Sequence, residues 1–530
     1  MKMLLIHPPV SKPCEPPAGL ATLAGALRCH GIPCMLLDAN IEGILSLLGG
    51  QGRDNDTWTR RAYSHLASNL AALEQWDAYT NNIGRYTRAV TEITRILQVV
   101  TLPYGSTLGL ANFTDQARSP LSSADLLQAS EMPEKNVFYH YFQQRLPAVL
   151  EQENPSIVGF SLNYLSQALI AFAMIGYVKK LSPAMKIMLG GGLVTSWLQR
   201  LDWRNPFAGL VDAMVAGPGE RPLLALAGIQ AADDSSLPDY DPVRGAPYFS
   251  PGRVLPYSVS LGCYWGRCSF CPEKTENRGY RCSTSQDVLH DLKALIAREN
   301  PSLVHLLDNA LSPSLLAALA ACPLRVPWYG FARFTSHLTD LDFCRELKRS
   351  GCTMLQIGLE SGDQGVLDAL QKGIDLTEAG EVLKNLKMAG IATYVYLLFG
   401  TPPETYARAQ KTLDFILDHR DCLDFLNLAI FNLPSGNLDA RELDTYDFYD
   451  GDLCLYKGFV HPHGWHRKLV RRFLDKEFRR HPAIAPILRR DPPVFTSNHA
   501  PFFVMAHGEY IRNRKGGSSS CQKGFPRKGR

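Results

Sequence analysis

The sequence predicts an α/β protein. A Rossmann-like, doubly wound parallel sheet is followed by a partial (β/α)6 barrel of the TIM type and a mainly helical C-terminal extension. Three observations predict it. Five short apolar runs alternate with helical patterns in the first 230 residues. Six more apolar runs, most of them separated by helical patterns, lie between residues 257 and 430. Two strands of the first set run straight into glycines, as strand ends near a ligand do. Strands that alternate with helices build parallel sheets, and catalytic groups gather at the ends of barrel strands.

The elements follow in order. Residues 2–7 are an apolar strand ended by Pro8 and Pro9. Residues 19–30 carry Leu20, Leu23, Ala24 and Leu27 at helical spacing, with Gly31 as the stop. Strands follow at 34–38, 156–161, 186–189 and 211–215, with a helix at 163–180. Gly190, Gly191 and Gly192 follow the fourth strand, and Gly217 and Gly219 the fifth. Glycines there let backbone approach a bulky ligand. Residues 44–155 break the pattern; their length predicts a helical insertion rather than a coil. Barrel strands are expected at 257–261, 303–307, 325–331, 354–359, 393–399 and 425–430, with helices at 285–298, 340–349, 376–389 and 404–418. The domains are then 1–235, a linker 236–256, a barrel 257–440, an extension 441–511 and a basic tail 512–530.

The chain of 530 residues exceeds one ordinary core. Its 13 cysteines are too sparse for a disulfide scaffold and odd in number. No apolar stretch approaches a membrane span, and the first residues do not read as a signal peptide. A reduced, cytoplasmic protein is expected, in which clustered cysteines mean metal or redox chemistry. The net charge of +4 becomes −3 without the seven basic residues between Arg512 and Arg530, a stretch that holds no acid. A basic sheath for nucleic acid is therefore not implied for the body. The Gly/Ser-rich tail predicts disorder.

Chemistry concentrates in YSVSLGCYWGRCSFCPEK. Cys263, Cys268 and Cys271 lie within nine residues, just after an apolar strand. Three thiolates hold three irons of a [4Fe–4S] cluster and leave the fourth open to a ligand. A zinc site completed by Cys282 is the alternative, at unusual spacing.

The segment resembles the radical SAM signature, with a C-x4-C-x2-C spacing in place of C-x3-C-x2-C. HPPV, PPAGLATLAGALRCHG, LLDAN, IVGFS, LGGG and VAGPGE are similar, in that order, to the cobalamin-binding domain that precedes many radical SAM barrels. The resemblance implies a [4Fe–4S] cluster on Cys263, Cys268 and Cys271 and S-adenosylmethionine (SAM) beside it. Phe270 would lie at the adenine. Glu360 in IGLESG would take the ribose hydroxyls, with Ser361 adjacent. Gly400 belongs to LLFGTPPET, which resembles the adenine-side turn with Pro403 in place of glycine. Asp308 in LLDNALSP and Arg333 in FARF would face the site; Arg333 would meet the SAM carboxylate or the substrate, or serve as a structural ion pair. Lys372 and Gly373 in LQKGI match a helix-end motif read as structural. Cobalamin would lie near Pro9, Asn40, Ser161, Gly190, Gly191, Gly192 and Gly217. Asn40 stands where cobalamin domains of the mutase type place a cobalt-ligating histidine, so any cobalamin is expected without a histidine ligand. The alternative is a Rossmann-like domain that has lost the cofactor.

The implied activity is reductive cleavage of SAM to methionine and a 5′-deoxyadenosyl radical, with cobalamin-dependent methylation of an unactivated carbon. Rearrangement or cyclisation is the alternative, and a non-catalytic iron–sulfur protein a further one. A flavodoxin or ferredoxin would supply the electron. The substrate is a small molecule or peptide. Six of the 14 histidines lie in the C-terminal region, including HPHGWH. Their spacing fits no paired metal motif, and LVRRFLDKEFRRH reads as a basic amphipathic helix with Leu469, Phe473 and Phe478 on its apolar side.

Overall fold

The structure, a computed structural model, describes residues 1–50, 56–80, 83–230, 236–276, 279–436 and 443–516, with side chains placed up to residue 506. Most of the expected tail, and the side chain of His507, lie outside the described residues.

The first sheet holds β1 (Met3–His7), β2 (Cys34–Asp38), β3 (Ile157–Ser161), β4 (Lys186–Gly190) and β5 (Ala213–Met214). Its order is β2-β1-β3-β4-β5, and all pairs are parallel. The strand order reverses between β1 and β3, so the crevice beyond their ends, at Pro8 and Ser161, is the switch point where such sheets bind ligands. The helix Leu165–Leu181 is apolar nearly all round because it is covered on both sides. The sheet lies on one side. On the other is the segment with the helices Thr57–Ser64, Leu66–Glu74, Ile83–Thr101, Ser123–Glu131 and Tyr139–Glu153 and one small hairpin. Tyr79 and Tyr86 of the insertion pack on His499 and Phe503 of the C-terminal helix Thr496–Gly516. The cap and the chain's end therefore share one core.

The barrel sheet holds β6 (Val254–Tyr257), β7 (Leu303–Leu306), β8 (Trp328–Ala332), β9 (Cys352–Glu360), β10 (Ala392–Phe399) and β11 (Phe425–Ile430), paired in sequence order and parallel. Alternate residues face opposite ways. Leu255, Val304, Leu355, Val395 and Leu426 meet the outer helices. Val254, Leu303, Tyr329, Met354, Tyr394 and Phe425 face the core shared with the first domain and the C-terminal helix. Glu15, from the loop after β1, reaches into this inner face and pairs with His305 of β7 at 2.9 Å.

Three expectations are corrected here. The first barrel strand is Val254–Tyr257, not 257–261; residues Ser260–Leu261 instead pair antiparallel with Arg281–Cys282. Pro256 had marked the linker, but β6 pairs on one side only, and an edge strand tolerates proline. The expected linker is itself a packed strap, with Tyr240 and Phe249 fully buried. In the C-terminal extension the helix Arg467–Phe473 runs into a π-turn at Leu474–Phe478. Its buried side is Val470, Phe473, Leu474 and Phe478, whereas Leu469 is exposed. Phe473 and Phe478 lie 6.1 and 5.5 Å from the Phe399 ring, so the helix docks on the end of β10. Among the described residues no helix is long and apolar enough to cross a membrane.

The strap is held by one carboxylate. Glu299, whose side chain is fully buried, pairs with Arg244 at 3.2 Å, Arg298 at 2.8 Å and Arg253. Removing one partner of a buried ion pair costs about 3–5 kcal/mol, and half-exposed arginines place this case at the lower end. Glu299→Gln should therefore cost about 3 kcal/mol, read as a lowered denaturation midpoint. An unchanged midpoint would show that the strap does not depend on it.

Candidate active site

The three cysteines lie on the loop that leaves β6 and the short strand Ser260–Leu261. Asp308, just beyond β7, fixes the base of that loop. Its buried carboxylate accepts from the Ser260 hydroxyl at 2.5 Å and the Val259 N–H at 3.2 Å, and burial raises its pKa. Its lone pairs thus face the loop's root. Cys268 is buried, and Cys263 and Cys271 are partly covered. Burial pushes the Cys271 thiol up to about 11. A thiolate at Cys271 needs a compensating cation or metal. Among the described residues no three His, Cys, Asp or Glu side chains form a preassembled metal cage. The described cysteines are all free thiols.

The longer first gap of the cysteine motif carries Trp265. Its ring packs on the turn after the helix Gln364–Ala369, and its Nε1–H donates to the Gln371 carbonyl at 2.9 Å. Gly373 makes this contact fit. A Cβ there would stand 2.1 Å from the Trp265 ring, and its φ is +64°. The Ser269 N–H donates to the Leu370 carbonyl at 3.0 Å. The cysteine loop is thus stitched to the LQKGI turn. Lys372 and Gly373, read from sequence as a structural helix end, belong to the wall of the site. A tryptophan in the lengthened gap together with a Lys-Gly turn is the signal that sequence reasoning passed over.

Glu360 ends β9. The pairing of β9 with β10 slips between Gly358 and Glu360, and the Glu360 φ is +69°. An irregularity of this kind re-aims a side chain, and a non-glycine residue there stores about 1–3 kcal/mol of strain. The carboxylate is turned onto Lys372 Nζ at 2.7 Å, with both side chains largely buried. Lys372 Nζ also lies 5.5 Å from the centre of the Phe270 ring. Phe270 and Glu360 therefore meet at one lysine, on the turn to which the cysteine loop is stitched.

Other expected contacts point elsewhere. Ser361 is fully buried, and its hydroxyl faces Thr412 at 3.2 Å; it anchors the turn and is not at the surface of the site. Arg333 turns to Cys268 and Trp265 and forms no carboxylate pair among the described residues. Gly400, with φ at +79°, gives its N–H to Glu404 Oε2 at 2.5 Å. The Trp465 indole N–H donates to the same oxygen at 2.9 Å. His461 Nε2 donates to the Thr401 carbonyl at 3.0 Å, and its Nδ1 accepts from the His463 N–H at 3.2 Å. HPHGWH is thus a latch on the β10 loop.

On the first sheet, Pro9 is buried, with its ring near Gly43, and is a core residue. The Asn40 amide is spent on Ser11, accepting from its N–H at 2.9 Å and donating to its carbonyl at 3.1 Å. Both ends of its amide are engaged within the fold, so the cobalamin contact expected of Asn40 has no free group to make it. Ser161, Gly190, Gly191, Gly192 and Gly217 do form an accessible rim. A Cβ at Gly191 would stand 2.5 Å from the Leu162 carbonyl, and its φ is +106°. The Gly192 N–H donates to Asn163 Oδ1 at 2.9 Å, and Tyr164 beside it is 57% exposed. The helix Gly192–Leu198 touches the cysteine segment, where Ser196 Oγ lies 2.5 Å from Glu276 Oε1. The helix that begins at the glycine rim thus touches the segment that follows the cysteines.

Burial raises Glu404 from its ordinary 4.5 to about 7. Its folded pKa lies above the unfolded one. The stability it contributes is present below about pH 4.5 and is lost as pH rises through 7. Glu404→Gln keeps the acceptor without the charge. The melting temperature of this variant should match wild type near about pH 5 and exceed it near about pH 8. Parallel pH profiles would contradict the assignment.

Residues 257–416 match the Radical SAM superfamily. An uncharacterized methyltransferase of Pyrococcus horikoshii is 22% identical over 307 residues, 50% of this chain and 65% of that protein. The anaerobic magnesium-protoporphyrin IX monomethyl ester cyclase of Rubrivivax gelatinosus is 22% identical over 317 residues, 51% of this chain and 56% of that one. The chain therefore spans less than two thirds of the length of these relatives. Among solved structures, the cobalamin-dependent S-adenosylmethionine radical enzyme OxsB with aqua-cobalamin bound aligns with a TM-score of 0.58 and 13% identity, over 90% of this chain and 67% of that one. The radical S-adenosylmethionine methyltransferase TsrM from Kitasatospora setae, with tryptophan and a SAM analog bound, aligns with a TM-score of 0.56 and 15% identity, over 98% and 99%. Residues 257–416 are a radical SAM domain, set in a chain that has the fold of the cobalamin-dependent radical SAM enzymes.

Proposed function

We propose that the protein is a cytoplasmic radical SAM enzyme that methylates an unactivated carbon of a small-molecule or peptide substrate with the help of cobalamin. The observation that carries the reading is the meeting of Phe270, Glu360 and Lys372 beside a three-cysteine loop within the radical SAM domain. The donor set fits an iron–sulfur cluster: three thiols on one loop, with the buried cation Arg333 against one of them. The exposed glycine rim and Tyr164 suit a broad, flat ligand such as a corrin.

Cys263, Cys268 and Cys271 would hold the [4Fe–4S] cluster, which when bound would supply one electron for reductive cleavage of SAM to methionine and a 5′-deoxyadenosyl radical. Glu360 is poised to accept hydrogen bonds from the ribose diol, and it shares its charge with Lys372. Phe270 offers a ring face to the adenine. Glu404 and Trp465 keep the β10 loop in place behind Gly400. Trp265 ties the cysteine loop to the turn at Gln371. Ser161, Gly190, Gly191, Gly192 and Gly217 would hold cobalamin at the switch point, without a protein ligand from Asn40. A flavodoxin or ferredoxin would deliver the electron.

The cyclase relative supports a second reading, in which the same radical closes or rearranges a ring without methyl transfer. Anaerobic reconstitution with iron and sulfide, followed by reduction in the presence of SAM, tests both. Methionine and 5′-deoxyadenosine are expected, together with uptake of one cobalamin. Absence of both products would end the enzyme reading. Both products without cobalamin uptake would end the methyltransferase reading. Cys268→Ala should lose the visible iron–sulfur absorbance and reduce SAM cleavage to background. Retained absorbance and cleavage would remove Cys268 from the ligand set.

A further inference from the structure

Arg333 stands at the end of β8 and is 7% exposed. A guanidinium keeps its charge in any protein setting. Burying an unpaired charge costs several kcal/mol, so a buried arginine is expected to face a carboxylate. Arg333 faces none among the described residues. Nη1 donates to Cys268 Sγ at 3.8 Å, and Nη2 donates to the Lys372 carbonyl. Its guanidinium carbon lies 4.6 Å from the centre of the Trp265 ring. The adjacent cation, Lys372, already has its own counter-ion in Glu360. Arg333 is thus aimed at a sulfur that is neutral as a thiol and negative as a metal ligand.

We propose that Arg333 is a redox-positioning residue, its fixed positive charge set against the Cys268 sulfur so as to raise the reduction potential of the cluster that the three cysteines hold. The proposal rests on the cluster reading above. Hydrogen bonds to ligand sulfurs and local net charge are the terms a protein uses to set such potentials. Reduction adds one negative charge to the cluster. A nearby cation stabilises that state, so the oxidised cluster accepts the electron more readily. The electron comes from the reductant and stays on the cluster; Arg333 neither gains nor loses a proton. Trp265 holds the guanidinium in place through its ring face. The lengthened gap in the cysteine motif thereby supplies the platform for the charge.

The test is an anaerobic redox titration of the reconstituted full-length protein with titanium(III) citrate, without SAM, followed by electron paramagnetic resonance. Arg333→Met and Arg333→Gln should lower the ratio of reduced to oxidised cluster at a fixed poise at least about tenfold, which for one electron is about 59 mV. Arg333→Lys should recover more than half of that shift. Wild-type ratios in both neutral variants would overturn the proposal. If neither neutral variant takes up a cluster, Arg333→Lys decides. Uptake by the lysine variant supports the need for charge, and its failure overturns it. Wild-type protein that takes up no four-iron cluster would instead defeat the underlying cluster reading.

Discussion

Charge balance beneath the cysteine loop governs the site. Two cations, Arg333 and Lys372, are almost fully buried there, and one carboxylate, Glu360, lies between the loop and the barrel. Low-dielectric surroundings make each uncompensated charge expensive. The backbone accepts a left-handed residue at Glu360 so that its carboxylate reaches Lys372. One positive charge then remains, and it points at Cys268. The arrangement is reasonable for a loop whose sulfurs carry negative charge when they ligate iron, and costly for one that holds three neutral thiols.

Much of this was legible in the sequence. The cysteines, the strand-end glutamate and most barrel strands rest on local patterns: clustered thiols, IGLESG, and apolar runs between helical segments. The start of the barrel was not legible. Pro256 reads as a linker residue unless it is known that β6 has a neighbour on one side only. The Trp265–Gly373 contact joins residues far apart in the chain, and no periodicity reports it. Side-chain direction was the other gap. Ser361 sits beside Glu360, yet it turns inward to Thr412 while the shifted backbone turns Glu360 outward. Asn40 occupies the expected place on the first sheet, but Ser11 consumes both ends of its amide.

The two sheets present their strand ends to a common region. Ser196 meets Glu276 just past the cysteines, and Glu15 reaches from the β1 loop to His305 inside the barrel. The C-terminal extension closes the far side through Trp465, His461 and the docked helix. The helix that follows the glycine rim and the segment that follows the cysteines therefore touch.

The central claim is that three cysteines hold a cluster with one iron left open to SAM. Mössbauer spectra of anaerobically reconstituted protein, recorded before and after addition of SAM, test it most directly. The signal of one iron of a [4Fe–4S] cluster should shift on SAM addition while the other three stay in place. Spectra that do not change with SAM, or protein that binds zinc in place of the cluster, would contradict it.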